Sequence, residues 1–309
     1  MSKLAFLFPG QGSQKPGMLL DIAQQYPQIQ TTFEQASDAL GEDMWAMLRE
    51  GDAETLSLTA NTQPLLLSAG VALWRIWQEK GGEQPEMMAG HSLGEYTALA
   101  CSGVLSFEDA VRATRFRGQA MQRAVPAGTG AMAAVIGLDD ATVIQVCADA
   151  AQGEVIEAVN FNAPGQVVIA GAASAVERAL PLLKEAGAKR ALPLPVSAPF
   201  HCALMRPAAD ELTGFMADIQ FNQPVCPIVQ NVSVAPETDP ETIKRQVLEQ
   251  TYSPVRWTQT VQYLVSSGFD RSVECGPGAV LAGLAKRIDK AMSTQGLGDL
   301  ASLEQGLQS

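Results

Sequence analysis

Residues 89–100 read "AGHSLGEYTALA" and set Ser92 between two glycines in the pattern G-x-S-x-G. A serine hydroxyl becomes a useful nucleophile near neutral pH only beside a base that can take its proton. The chain has two histidines. His91 adjoins Ser92 on the backbone, and successive side chains at a tight turn diverge, so it is badly placed as that base. His201, in "SAPFHCALM", is the alternative. A lone histidine is more often structural than catalytic. With a serine elbow and no rival imidazole, pairing Ser92 with His201 is the better reading, and it implies nucleophilic chemistry through a covalent intermediate. The acid of a conventional triad is not readable, because no carboxylate between the two falls in a recognisable loop after a strand. A backbone carbonyl or an amide side chain could orient the imidazole instead.

Arg117 is the third residue whose position suggests chemistry. In "SFEDAVRATRFRGQAMQRAV" the periodicity predicts a helix over 107–124, opened by Ser106 and Asp109 in an S-x-x-D capping arrangement. Ala110, Ala113, Met121 and Ala124 form an apolar stripe at spacings of three and four, and Arg117 lies on it. Arg112, Arg115 and Arg123 fall on another face and are expected to be solvated. An unpaired buried guanidinium is costly, so Arg117 needs an anion. An internal aspartate or glutamate would serve; so would a ligand carboxylate gripped by the planar fork. Gly118 beside it leaves room for a close approach.

These residues need a scaffold. "EMMAG" before Ser92 reads as a short buried strand and "LGEYTALACSG" after it as a helix ending at Gly103, the strand, turn and helix of a nucleophile elbow. The pattern alone is equally compatible with a glycine-rich corner, and the context decides. "KLAFLF" followed by "PGQGSQKPGM" predicts a buried strand stopping at a glycine-rich loop. "PLLLSAGVALWRIWQEKG" predicts a core helix from Pro64 to Gly81. Between Gly130 and Pro195 the order is strand, helix, strand, strand, helix, strand, that of a ferredoxin-like unit. It would be inserted as residues 126–198 into a larger α/β domain of 1–125 and 199–309, with "VPAGTG" and "PLPVSAP" as hinges. Strand-like "PIVQNV", a helix near 241–250 and "RSVECGPGAVLAGLAKRI" resume the α/β style. From about Ser293 the chain is polar and weakly periodic, and a loosely held tail is expected.

Composition narrows the partners. The 309 residues are 47% hydrophobic and 17% charged, an ordinary globular profile. Lysine and arginine number 21 against 33 acidic residues, and the net charge of −12 disfavours nucleic acid and anionic lipid as partners. The five cysteines are scattered without a C-x-x-C pair, which predicts reduced, mostly buried thiols rather than zinc ligands. "LAFLF" is too short for a signal-peptide core and no later run has the length of a membrane span, so a cytoplasmic protein is expected. "PGQGSQ" lacks the third glycine of the dinucleotide fingerprint and the G-K-[ST] of a P-loop, which disfavours a phosphate cradle.

Taken together, "FPGQGSQ", "GHSLGEY", "RFRGQAM", "FNAPGQVVIAG", "PFH" and "ECGPG" occur in order across nearly the whole chain. That set resembles the malonyl-CoA:acyl carrier protein transacylases of bacterial fatty acid synthesis. The resemblance implies an α/β hydrolase-like core with a parallel sheet, carrying an inserted ferredoxin-like (βαββαβ) subdomain. It implies malonyl transfer from malonyl-CoA to the phosphopantetheine thiol of acyl carrier protein, with no cofactor and no metal, since CoA and phosphopantetheine enter as substrate carriers. Carried over by position, Ser92 is the acylated nucleophile and His201 its base, while the backbone N–H groups of Gln11 and Leu93 form the oxyanion hole. Arg117 holds the malonyl carboxylate, Gln63 and Gln166 help line the pocket, and the backbone carbonyl of Gln250 orients His201. In related modular synthases a phenylalanine before the histidine accompanies malonyl selection, and Phe200 fits that tendency. Lys189, Arg190, Lys286 and Arg287 are candidate contacts for CoA or the carrier. A serine hydrolase or thioesterase acting on acyl thioesters, a polyketide-pathway acyltransferase and a non-catalytic carrier-binding protein are the competing readings.

Overall fold

The computed structural model describes residues 2–196 and 198–308 and is organised around two sheets. Its strands are β1 (Lys3–Phe8), β2 (Met87–Gly90), β3 (Gly130–Ile136), β4 (Ile156–Ala163), β5 (Gln166–Ala172), β6 (Arg190–Pro193), β7 (Ile228–Val229), β8 (Pro236–Glu237), β9 (Phe269–Glu274) and β10 (Ser293–Gly296). The larger sheet runs β10-β9-β1-β2-β7-β8 and is parallel except for β8, which pairs antiparallel with β7.

Strand β1 lies between β9 and β2, and all but its first residue are buried, because helices cover both faces of a parallel sheet. Its side chains alternate between two cores. Phe6 and Phe8 point toward the helix Thr59–Glu79, where the Phe6 ring sits edge-on to Trp74 at 5.1 Å and to Trp77 at 5.4 Å. Ala5 and Leu7 face the opposite cluster with Ala89, Val255 and Trp257.

The smaller sheet is antiparallel, in the order β4-β5-β3-β6, with the helices Asp140–Ala151 and Ala173–Glu185 packed on one side. Its strand β4 is bonded to Val255, a residue outside the larger sheet's strands that packs in the core on one face of that sheet. The Phe161 N–H donates to Val255 O at 3.0 Å and the Val255 N–H to Val159 O at 2.8 Å. Of the expected second hinge, Ser197 lies outside the described residues.

Three expectations are corrected. The core helix begins at Thr59 rather than Pro64, so the proline sits inside it. Position Pro64 falls early in the helix, where a missing N–H removes only one of the first intrahelical bonds. The segment from Ser293 is not a loose tail. Strand β10 extends the sheet beside β9, and the helix Leu300–Leu307 follows with a capping box from Asp299 and Ser302 and with Leu303 buried. Arg115 is not solvated: it is 8% exposed and donates to Glu42 Oε2 and Asn61 Oδ1, each at 2.5 Å. The burial of the cysteines agrees with expectation, with four buried and one half-buried.

Candidate active site

Strand β2 ends at Gly90 and the helix Leu93–Cys101 begins two residues after His91, so Ser92 occupies the bend between them. Its φ of 52° and ψ of −110° lie in territory that non-glycine residues seldom enter. The flanking glycines explain how the bend closes. A Cβ on Gly90 would lie 2.0 Å from the backbone carbon of Gly94, and one on Gly94 would lie 1.9 Å from Phe8 O. Asn231, just past β7, clasps the bend from both sides: its Oδ1 accepts from the Ser92 N–H at 2.9 Å and its Nδ2 donates to Gly90 O at 2.6 Å.

The chain brings His201 to the serine from a distant segment. Ser92 Oγ and His201 Nε2 are 2.6 Å apart, while Nδ1 donates to the main-chain oxygen of Gln250 at 2.9 Å. With the proton on Nδ1, Nε2 is left as the acceptor for the hydroxyl. His201 also has a positive φ, 65°. Burial is the main cause that lowers its pKa to about 3, and the adjacent Arg117 charge adds to it. The neutral imidazole a general base requires is thereby the resting form. His91 diverges from Ser92 as expected: its Nε2 is 2.8 Å from Asn162 Oδ1 and its ring lies 5.5 Å from that of Trp257.

Arg117 is 2% exposed on the helix Phe107–Arg123, and its partners are neutral. It donates to Gln63 Oε1 and to Gln250 Oε1, each at 2.8 Å, and lies 3.4 Å from Ser92 Oγ. Among the described residues no carboxylate forms an ion pair with it. Burial pulls its pKa below the ordinary guanidinium value, and the nearby Tyr96 and Glu95 oppose that pull. What approaches Gly118 is backbone of the neighbouring helix: a Cβ there would meet Ala60 Cα and Thr59 O at 2.7 Å. That contact seats the arginine helix against the helix of Gln63.

Ser92, His201 and Arg117 face one cavity of about 460 Å³, whose lining also includes Gln63, Gln11, Leu93 and Gln166. Its apolar wall includes Met121, Met132, Val168, Leu194, Val196 and Phe200. Leu93 is the first residue of its helix, so its N–H has no intrahelical acceptor and is free to serve an anion. Gln166 Oε1 accepts from Arg287 at 2.9 Å, which places that arginine at the cavity's rim. Arg190 on the edge strand β6 lies two strands from Gln166 on β5, level with it because both pair with Ile136, and Lys189 precedes it. Lys189, Arg190, Lys286 and Arg287 are exposed and do not enter the cavity. Among the described residues, no group of three or more histidine, cysteine or acidic side chains could hold a metal ion, and no helix is long and apolar enough to cross a membrane.

Sequence reasoning missed Glu95, Asn231 and the side chain of Gln250. Glu95 left a signal, a single carboxylate inside an otherwise apolar helix, three residues after the serine. Asn231 left none, because its partners are distant in the chain.

Residues 5–298 match the acyl transferase domain family. The malonyl CoA-acyl carrier protein transacylase of Escherichia coli K12 is 54% identical over 308 residues, covering 100% of both chains. An acyl carrier protein S-malonyltransferase from Vibrio cholerae superposes with a TM-score of 0.96 at 57% identity, over 98% of this chain and 99% of that one. A malonyl-transacylase solved in complex with its type II PKS acyl-carrier protein superposes with a TM-score of 0.98 at 52% identity, over 99% of each chain.

Proposed function

The chain belongs to the acyl transferase domain family, and from that premise we infer that it moves a malonyl group from malonyl-CoA to the phosphopantetheine thiol of acyl carrier protein, supplying units for fatty acid biosynthesis. Relatives that share more than half of its residues end to end carry that activity in their names.

In this reading Ser92 Oγ attacks the thioester carbonyl as His201 Nε2 takes its proton. The oxyanion is received by the N–H groups of Gln11 and Leu93. The C–S bond breaks, His201 returns the proton to the departing CoA sulfur, and malonyl-Ser92 remains. The carrier thiol then attacks that ester, giving its proton to His201, which passes it to Ser92 Oγ as the C–O bond breaks. Both half-reactions balance without a cofactor. The main-chain carbonyl of Gln250 keeps the imidazole in the working tautomer, and Gln63 and Gln166 help shape the pocket. Lys189, Arg190, Lys286 and Arg287 meet the CoA phosphates or the acidic carrier, a local attraction on a chain of net charge −12. Residues 1–125 and 199–309 form the acyltransferase lobe, 126–198 the smaller one, and the whole works in the cytoplasm.

The observation that carries the choice of acyl group is the buried Arg117 fork beside Ser92 Oγ, with no carboxylate paired to it among the described residues. A serine hydrolase has no use for it. Mixing the protein with malonyl-CoA and weighing it intact tests the reading. One malonyl adduct that vanishes in Ser92→Ala and transfers to a carrier thiol faster than to water is expected. No adduct, or one that survives Ser92→Ala, overturns the assignment.

A further inference from the structure

Glu95 is fully buried and does not line the cavity, yet it closes the frame around the site. Its Oε2 accepts from Gln250 Nε2 at 2.6 Å, and its Oε1 is 3.4 Å from the Asn231 N–H. It therefore touches both residues that clasp the serine bend. The same Gln250 Nε2 also donates to Ser92 O at 2.9 Å, while Gln250 Oε1 faces the Arg117 guanidinium.

An amide presents an acceptor at one end and donors at the other, so its direction matters. Reversed, Gln250 would set an NH₂ group against the guanidinium, donor against donor, and leave two acceptors facing its oxygen. The two groups at its nitrogen, Glu95 Oε2 and Ser92 O, both accept and so hold the direction seen. Glu95 also places acidic character one amide away from Arg117, near enough to favour the buried cation and too far to occupy its fork.

We propose that Glu95 is a positioning residue for acyl selection: through the Gln250 amide it fixes the Arg117 fork toward the position of the substrate carboxylate. The proposal rests on Arg117 being the carboxylate receptor. Glu95 acts through Gln250 and does not itself touch the acyl chain.

The test compares malonyl-CoA with acetyl-CoA in the full-length protein, with kcat and KM measured separately for Glu95→Met, Glu95→Asp, Glu95→Gln and Arg117→Ala. Methionine keeps the volume without an acceptor; aspartate stops one methylene short of Gln250; glutamine keeps an oxygen for Gln250 Nε2. In Glu95→Met and Glu95→Asp the malonyl-to-acetyl ratio of kcat/KM falls about five-fold or more, the worth of one misdirected hydrogen bond, and the malonyl change appears mainly in KM. Glu95→Gln holds the ratio within about three-fold of the parent. If Glu95→Met does not fold, Glu95→Asp carries the same expectation. An unchanged ratio in the folded variants, equal losses on both acyl groups, or a Glu95→Gln as poor as Glu95→Met overturns the role of Glu95, provided Arg117→Ala lowers the ratio. A ratio unmoved in Arg117→Ala instead overturns the receptor on which the proposal rests.

Discussion

Nδ1 of His201 lies 2.9 Å from the main-chain oxygen of Gln250, so a neutral dipole orients this imidazole where a carboxylate would ordinarily stand. A carboxylate would stabilise the imidazolium; here burial and Arg117 both oppose it and bring the pKa to about 3. The proton need only rest on His201 in passing. Single-turnover acylation of Ser92 is therefore expected to show no loss centred on the ordinary histidine value of 6.5 as pH falls from about 8 to about 5. A limb centred at that value would contradict the geometry.

Two buried groups tilt stability in opposite directions with pH. The folded chain refuses a proton at His201 that the unfolded chain accepts, so stability falls as pH drops from 6.5 toward about 3. Burial raises Glu95 from 4.5 to about 7, so over that interval the unfolded chain releases a proton that the folded chain keeps, and stability falls as pH rises. Urea midpoints measured across pH should show the second slope reduced in Glu95→Gln. An undiminished slope would mean that another group carries it.

If Arg117 receives the malonyl carboxylate as proposed, replacing it by alanine removes a charge-assisted contact worth about 1.5–3 kcal/mol, which corresponds to about ten-fold or more in malonyl transfer. Acetyl transfer, which offers no carboxylate, should fall by less. Steady-state comparison of the two donors checks this, and equal losses would refute the role.

Asn231→Ala orphans the Ser92 N–H and Gly90 O, at about 1–3 kcal/mol for each buried group left unpaired. The bend loosens beneath Ser92 rather than at Arg117. Thermal melts should shift downward, and kcat should fall by a similar factor for malonyl and acetyl donors. A loss confined to malonyl would place Asn231 in the wrong part of the site.

Local signals in the sequence carried much of this architecture. The strand, bend and helix at Ser92, the Ser106 cap and the alternating pattern of the smaller lobe all depend on neighbours within a few residues. Long-range contacts decided the remainder. Arg115 looked solvated because its stripe is polar, and only the fold brings Glu42 and Asn61 to it. The end of the chain looked loose because β10 is a short polar edge strand whose regularity comes from pairing with β9. In the site, Ser92 and Arg117 could be picked out by type and period. The clasp of Asn231, Gln250 and Glu95 spans more than 130 positions from one side to the other.

The placement of β1 also bears on how the protein is made. Its neighbours are β2 and β9, and β9 begins at Phe269. On a ribosome the opening strand must wait, half-paired, until most of the polypeptide has emerged, whereas the four strands of the smaller lobe span only Gly130–Pro193 and can close among themselves earlier. Synthesis from the N-terminus thus leaves one greasy side of this strand unfinished for most of translation.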